Sequence, residues 1–225
     1  MELLARKLVE LEKLHGPPKR AIPKTPLEWI LWENVAYLVD DRKRELAFRA
    51  LAQHAGTTAG AIAAASDKAL RAATDLDGMH PEQRVERLRG IARLSLAEGS
   101  QDLTEILRLP RTAAKRILKK FPSIGDPGAE KILLFCGAEA VLALESNGLR
   151  VAVRLGFGEE KKSYAATYRS ALEALAPATK GKARAWLVRA HQLLRAHGQA
   201  LCKRSAPDCD ACPLSDRCRF AARAG

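Results

Sequence analysis

The sequence predicts an all-α protein, and three observations carry that reading. Apolar residues recur at spacings of three and four along nearly the whole chain, alanine and leucine abound, and no stretch alternates β-branched residues as a strand does. About ten helices fit between breaks written in glycine and proline.

The N-terminal periodic stretch ends at Gly16-Pro17-Pro18, and Ile22-Pro23-Lys24-Thr25-Pro26 precedes the next. Leu27 to Val39 is apolar on nearly every face when wound as a helix, which predicts a buried one. It nevertheless contains Glu33 and Asn34. A carboxylate carried into an interior must be paired, protonated or used, so Glu33 is a candidate site residue. His54-Ala55-Gly56, Asp77-Gly78 and Leu109-Pro110 divide the following stretch. Arg111 to Lys119 forms a basic helix, Phe121-Pro122-Ser123-Ile124-Gly125 turns, and Pro127 opens another helix that ends near Gly137. Ala176-Pro177 marks a last break, and the chain shows no internal repeat or low-complexity tract.

At 225 residues the chain can bury one large core or two small ones and needs no disulfide staples. Thirty-eight Lys and Arg against 26 Asp and Glu give a formal charge of +12, spread through the sequence rather than confined to a tail. That balance favours a polyanionic partner, and both nucleic acid and an anionic membrane surface meet the description. No stretch approaches the roughly 18 apolar residues of a membrane span, and Met-Glu-Leu-Leu-Ala-Arg-Lys lacks the basic-then-apolar order of a signal peptide. The expectation is a soluble, cytoplasmic protein.

Four of the five cysteines, Cys202, Cys209, Cys212 and Cys218, fall within the last 24 residues at a C-x6-C-x2-C-x5-C spacing, with Pro213 after the third. In a reducing compartment this reads as metal ligation rather than disulfide pairing. Four thiolates in one loop suit zinc or an iron-sulfur cluster, and spacing alone does not choose between them. The fifth, Cys136, ends an apolar run and reads as core filler. The basic hairpin points to phosphate binding. A turn that presents successive backbone N–H groups at a helix N-terminus holds a phosphate without reading sequence, and Arg111, Lys115, Arg116, Lys119 and Lys120 surround it. An ordinary helix connection with a solvated basic face is the alternative.

The hairpin followed by the four-cysteine loop resembles the endonuclease III superfamily of DNA glycosylases. Between the two, Glu145-Ser146-Asn147-Gly148-Leu149-Arg150-Val151 with Arg154-Leu155-Gly156 resembles the family segment that begins with its catalytic aspartate. Cys202-Lys203-Arg204-Ser205 through Pro213-Leu214 is most similar to the loop of the mismatch-specific adenine glycosylases. The resemblance implies a two-lobed helix-hairpin-helix glycosylase fold. A six-helix barrel would span residues 26–138, and an iron-sulfur lobe would combine 1–25 with 139–225, its cluster loop at 202–218. It also implies a [4Fe-4S] cluster on the four cysteines, DNA across the cleft between the lobes, and cleavage of the glycosidic bond of a flipped base. The implied partner is double-stranded DNA with a damaged, mismatched or abasic site, bound by a nucleoid-associated monomer.

Where bifunctional members carry a Schiff-base lysine, this chain has Pro127, which has no nucleophile. Lys131 lies one turn further along. Glu145 replaces the family's catalytic aspartate and either stabilises positive charge developing on the sugar or caps the following helix. Glu33 stands where adenine glycosylases keep the acid that protonates the leaving base; an ion-paired buried acid is the alternative. Ser123, Ile124, Gly125, Lys119, Lys120 and Asn147 are the implied DNA contacts. Tyr37 and Leu38 occupy the wedge position, either filling the gap left by a flipped base or packing in the core. Two functions follow: a monofunctional glycosylase, or a non-catalytic, lesion-sensing DNA-binding protein on the same scaffold.

Overall fold

A computed structural model of the chain describes residues 2–19, 21–36, 39–76 and 80–224. Among these there are twelve α-helices, two short 3-10 turns and no strand, as the apolar periodicity predicts. Tyr37 and Leu38, and the break at Asp77-Gly78, lie outside the described residues. The chain divides into two compact units, Met1–Arg20 with Glu139–Gly225, and Ala21–Ala138.

The unit Ala21–Ala138 holds α2 (Pro26–Asn34), α3 (Asp41–His54), α4 (Ala59–Ala64), α5 (Asp67–Thr74), α6 (Pro81–Ala97), α7 (Arg111–Leu118) and α8 (Asp126–Phe135). Thr25, Asp40, Thr58 and Ser66 each cap their helix by accepting a backbone N–H three residues on. Each such cap contributes about 1 kcal/mol. Leu27, Ile30, Leu31, Leu51, Ile62, Leu70, Leu88, Ile91, Leu118 and Ile132 are fully buried in one continuous core. Burying each contributes roughly 2 kcal/mol.

The helix expected over Leu27 to Val39 stops at Asn34. Asn34 is responsible: its amide Nδ2 donates to the Ile30 carbonyl at 2.8 Å and to the Pro122 carbonyl at 3.0 Å, offering the backbone an alternative to another turn. Buried Arg84 then donates to the Val35 carbonyl at 3.2 Å and to the Thr74 carbonyl, tying the exit of α2 to the end of α5.

The other unit holds α1 (Glu2–His15), α9 (Ser146–Arg154), α10 (Tyr164–Thr179), α11 (Arg184–Ala200) and the short α12 (Ala221–Ala224). Leu4, Leu8 and Leu11 of α1 and Leu187, Leu193 and Leu194 of α11 form its buried centre with Leu149 and Val151 of α9. Arg189 grips Glu12 with two bonds, Nε to Oε1 at 3.1 Å and Nη2 to Oε2 at 2.6 Å, which fixes the register of α1 on α11. The helices α9 and α11 cross at Gly198, where a Cβ would stand 2.5 Å from the Asn147 carbonyl oxygen. The break expected at Ala176-Pro177 does not occur: α10 continues through Pro177 to Thr179. A proline so near a helix C-terminus removes one backbone bond and has little helix beyond it to disrupt.

Candidate functional site

The hairpin is α7, the Phe121–Gly125 turn and α8. Ser123 adopts a left-handed backbone with φ 65°, which costs a residue with a side chain about 1–2 kcal/mol. Its Oγ donates to Asn34 Oδ1 at 3.0 Å while Asn34 Nδ2 holds the Pro122 carbonyl, so one amide grips the turn at two adjacent residues. Phe121 and Ile124 are buried beneath it. Among the described residues, the N–H groups of Ser123, Gly125 and Asp126 find no acceptor, and they lie at the head of α8. That arrangement suits an anion.

Four of the five basic side chains around the turn are tied to acids within the same unit, and Arg116 is exposed with no ion pair among the described residues. Lys119 bonds Asp126 at 2.9 Å, Lys115 bonds Asp126 at 3.0 Å and Glu130 at 2.7 Å, Arg111 bonds Glu130 at 2.8 Å, and Lys120 bonds Glu98 at 2.5 Å. Bonds from Lys119 and then Lys115 hold the Asp126 carboxyl below its ordinary range. Burial alone would lower Lys115, but Glu130 and Asp126 overcome it and raise the amine. The Lys119 and Lys120 pairs are largely exposed and worth about 0–1 kcal/mol, so these two lysines exchange an internal acid for an external phosphate at small cost, whereas Lys115 and Arg111 are held on buried Glu130.

Glu33, at the end of α2, bonds the Lys131 ammonium and accepts from Arg44 Nη1 at 3.4 Å. Lys131 also lies 5.0 Å over the Trp29 ring. Of the two roles open to Glu33, this geometry favours the ion-paired acid, since a proton donor calls for an apolar pocket rather than two adjacent cations. Pro127 sits in the first turn of α8.

Glu145 caps α9: its Oε1 accepts from the Gly148 N–H at 2.7 Å and its Oε2 from Asn147 Nδ2 at 2.9 Å. Each oxygen keeps a lone pair for a further contact. Asn147 Oδ1 in turn accepts from Arg150 Nη2 at 2.9 Å, and Arg150 donates to the Cys202 carbonyl at 2.8 Å and the Gly198 carbonyl at 2.7 Å. A chain of hydrogen bonds thus joins the carboxylate to the first cysteine. Nearby Tyr164 is pushed up to about 12, by burial and then by the Glu145 charge.

Cys202 leaves α11 with its N–H on the His197 carbonyl at 2.9 Å, and tight turns bring Cys209, Cys212 and Cys218 around. All four cysteines border one small recess. Among the described residues, no three His, Cys, Asp or Glu side chains are grouped closely enough to hold a metal ion. A single tetrahedral zinc draws its sulfurs to about 3.8 Å of one another, given a Zn–S bond of about 2.3 Å. A four-iron cluster takes one thiolate at each of four corners, and the four cysteines bordering one recess supply that number of donors. Arg154 Nη1 donates to Cys202 Sγ at 3.3 Å, Cys218 Sγ donates to the Arg154 carbonyl at 3.3 Å, and buried Lys7 donates to the Arg217 carbonyl at 3.0 Å. Cations beside the recess suit an anionic thiolate cluster. Cys136 stands apart, half-buried against the other unit's core residues.

The sequence reading found the cysteines, the hairpin and Glu145 but passed over Asn34 and Arg150. Asn34 left a signal, an amide inside an otherwise apolar helix. Arg150 left none, because two of its three acceptors, Cys202 and Gly198, come from distant positions.

Fold and site define an all-α helix-hairpin-helix protein with a four-cysteine C-terminal loop. No family model matches the sequence. Endonuclease III of Rickettsia felis is 29% identical over 103 residues, which is 46% of this chain and 45% of that protein, so the match spans about half the length of this curated relative. A trapped endonuclease III–DNA covalent intermediate superposes with a TM-score of 0.72 at 17% identity, covering 99% of this chain and 97% of that one. A thermostable thymine-DNA glycosylase does so with a TM-score of 0.72 at 13% identity, covering 99% and 96%. The chain is thus similar to endonuclease III over about half its length and shares the helix-hairpin-helix fold of these structures.

Proposed function

We propose that this protein is a monofunctional DNA glycosylase of base-excision repair, hydrolysing the N-glycosidic bond of a damaged or mispaired base flipped from double-stranded DNA. The observation that carries the reading is the Glu145 carboxylate, fixed at the head of α9 by two hydrogen bonds, in a chain of this fold. Hydrolysis breaks the bond between the sugar and the base, and water adds to the sugar carbon as the base leaves with its electron pair and takes up a proton. Glu145 faces the positive charge that develops on the sugar, and an anion held rigidly in advance lowers that barrier. The Ser123–Asp126 N–H groups hold a backbone phosphate, and Lys119 and Lys120 join them by leaving their acids. Asn147 positions Glu145 and meets the DNA beside it. Tyr37 and Leu38 follow α2 in sequence at the wedge position. Pro127 offers no amine, so the product is an abasic site in an uncut strand.

The four cysteines hold a [4Fe-4S] cluster, which when bound gives the 202–218 loop a fixed frame. Arg150 then transmits the position of that loop to Asn147 and Glu145. The protein works as a monomer on the nucleoid, in the cytoplasm. No helix among the described residues is long and apolar enough to cross a membrane.

The ion pairing of Glu33 favours a second reading, a lesion-binding protein without turnover. Glu145→Gln separates the two, because glutamine still accepts the Gly148 N–H. A glycosylase loses on the order of 10²- to 10³-fold in single-turnover rate while its binding to abasic DNA holds or tightens. A pure binder shows no rate to lose.

A further inference from the structure

A groove of about 880 Å³ runs along α9 within the unit Met1–Arg20 and Glu139–Gly225. Six cations border it, Arg150, Arg154, Lys161, Lys162, Arg204 and Arg219, against two acids, Glu159 and Glu160. Two of the cations are held by the protein's own acceptors. Arg150 is spent on the Cys202, Asn147 and Gly198 oxygens, and Arg154 on the Lys203 and Arg204 carbonyls and the Cys202 sulfur. Lys161 pairs with Glu159. Lys162, Arg204 and Arg219 are exposed, and no side-chain hydrogen bond or ion pair holds them among the described residues, Arg219 meeting only the charge of Glu159.

Tyr164, also on the groove, is 48% exposed although it is aromatic. Its ring lies nearly parallel to that of buried Tyr168, with centroids 6.3 Å apart and planes at 14°. The neighbouring ring fixes its plane, and about half of the residue is open to solvent. Charge alone would accept any polyanion, but an exposed ring among unpaired cations adds a face on which a nucleobase stacks. The bases of a duplex are stacked on each other and do not reach it.

We propose that this groove binds an unpaired stretch of nucleic acid, with phosphates on Lys162, Arg204 and Arg219 and one base on Tyr164. It is a single-strand site separate from the hairpin, and it does not depend on the Glu145 chemistry. Its place next to Ser146 lets the chain hold a strand opened beside a lesion.

The test is fluorescence anisotropy of a labelled short oligothymidylate with the full, cluster-loaded chain, beside a fully paired duplex of equal length. Single-strand binding falls with salt at a slope of about −2, at roughly −0.7 for each of three phosphates. Tyr164→Ala weakens it about tenfold, within the range for one stacked base, and Tyr164→Phe restores it. The combined Lys162→Ala, Arg204→Ala, Arg219→Ala variant flattens the salt slope and leaves duplex affinity within about twofold. Unchanged single-strand binding in Tyr164→Ala and the triple variant overturns the proposal. So does an equal loss for duplex and single strand, which makes the groove part of a duplex surface, or competition by thymidine monophosphate as effective as by the oligonucleotide. Because the readout is binding, a chain that fails as a glycosylase can still pass.

Discussion

Ser123 Oγ donates to Asn34 Oδ1 at 3.0 Å, so a left-handed serine in the hairpin turn is held by the last residue of a buried helix 89 positions away in sequence. The same Asn34 amide holds Pro122, and the turn's outward N–H groups owe their direction to this grip.

Asn34→Ala therefore leaves the Pro122 carbonyl and the Ser123 hydroxyl without their partner. The expected loss is about 1–3 kcal/mol in chemical denaturation, with weakened DNA binding. Ser123→Gly removes both the bond and the left-handed strain, and is expected within about 1 kcal/mol of wild type. Equal losses in the two variants would show that the strain is negligible.

Gly198→Ala puts a methyl carbon 2.5 Å from the Asn147 carbonyl oxygen. The helices α9 and α11 must part, at about 1–3 kcal/mol or more. Because Asn147 also bonds Glu145, activity is expected to fall further than the folded fraction does. Comparing single-turnover rates with circular dichroism melts checks this.

Asp126→Asn releases Lys119 to solvent, while Lys115 keeps its bond to Glu130. Nonspecific DNA affinity should rise, and the salt slope should steepen by about one unit, at roughly 0.9 per added phosphate contact. The acid also carries a pH effect. Its folded pKa is depressed, so its stabilisation is present above the unfolded value of about 3.9 and fades as the pH falls through the folded one. The variant should lose a small acid-side slope in its stability profile, small because the side chain is half exposed.

Cys212→Ala removes one corner of the cluster site. The expected result is loss of iron and acid-labile sulfide together and of visible absorbance, without zinc in either protein. Stoichiometric zinc in the wild type would instead mean a tetrahedral four-thiolate site and contradict the cluster.

Local rules that need no partner were legible in the sequence. The cysteine spacing, the Pro and Gly of the hairpin and the helical periodicity follow from adjacent residues, and each appears in the structure. What was hidden depends on residues far apart. The early end of α2 needs Asn34 to find Pro122, the neutralised lysines need Asp126, Glu130 and Glu98, and the link from Glu145 to Cys202 needs α9 to lie on α11. The helix through Pro177 was misjudged because a proline near a C-terminus costs less than one in mid-helix. Glu33 was legible as an ion-paired acid, but it is part-exposed at the end of α2 rather than buried, and Lys131 joins Arg44 as its partner.

The central claim is hydrolysis of a glycosidic bond without strand cleavage. The most direct measurement incubates end-labelled duplexes, each with one damaged or mismatched base, with the cluster-loaded protein and scores strand breaks with and without alkali. The account expects breaks at one class of base only after alkali, and no borohydride-trapped protein–DNA adduct. Breaks without alkali together with a trapped adduct would contradict it by requiring a nucleophilic amine, with Lys131 the first to replace. Intact duplexes under both conditions, with tight binding to abasic DNA, would contradict it in favour of a lesion-binding protein.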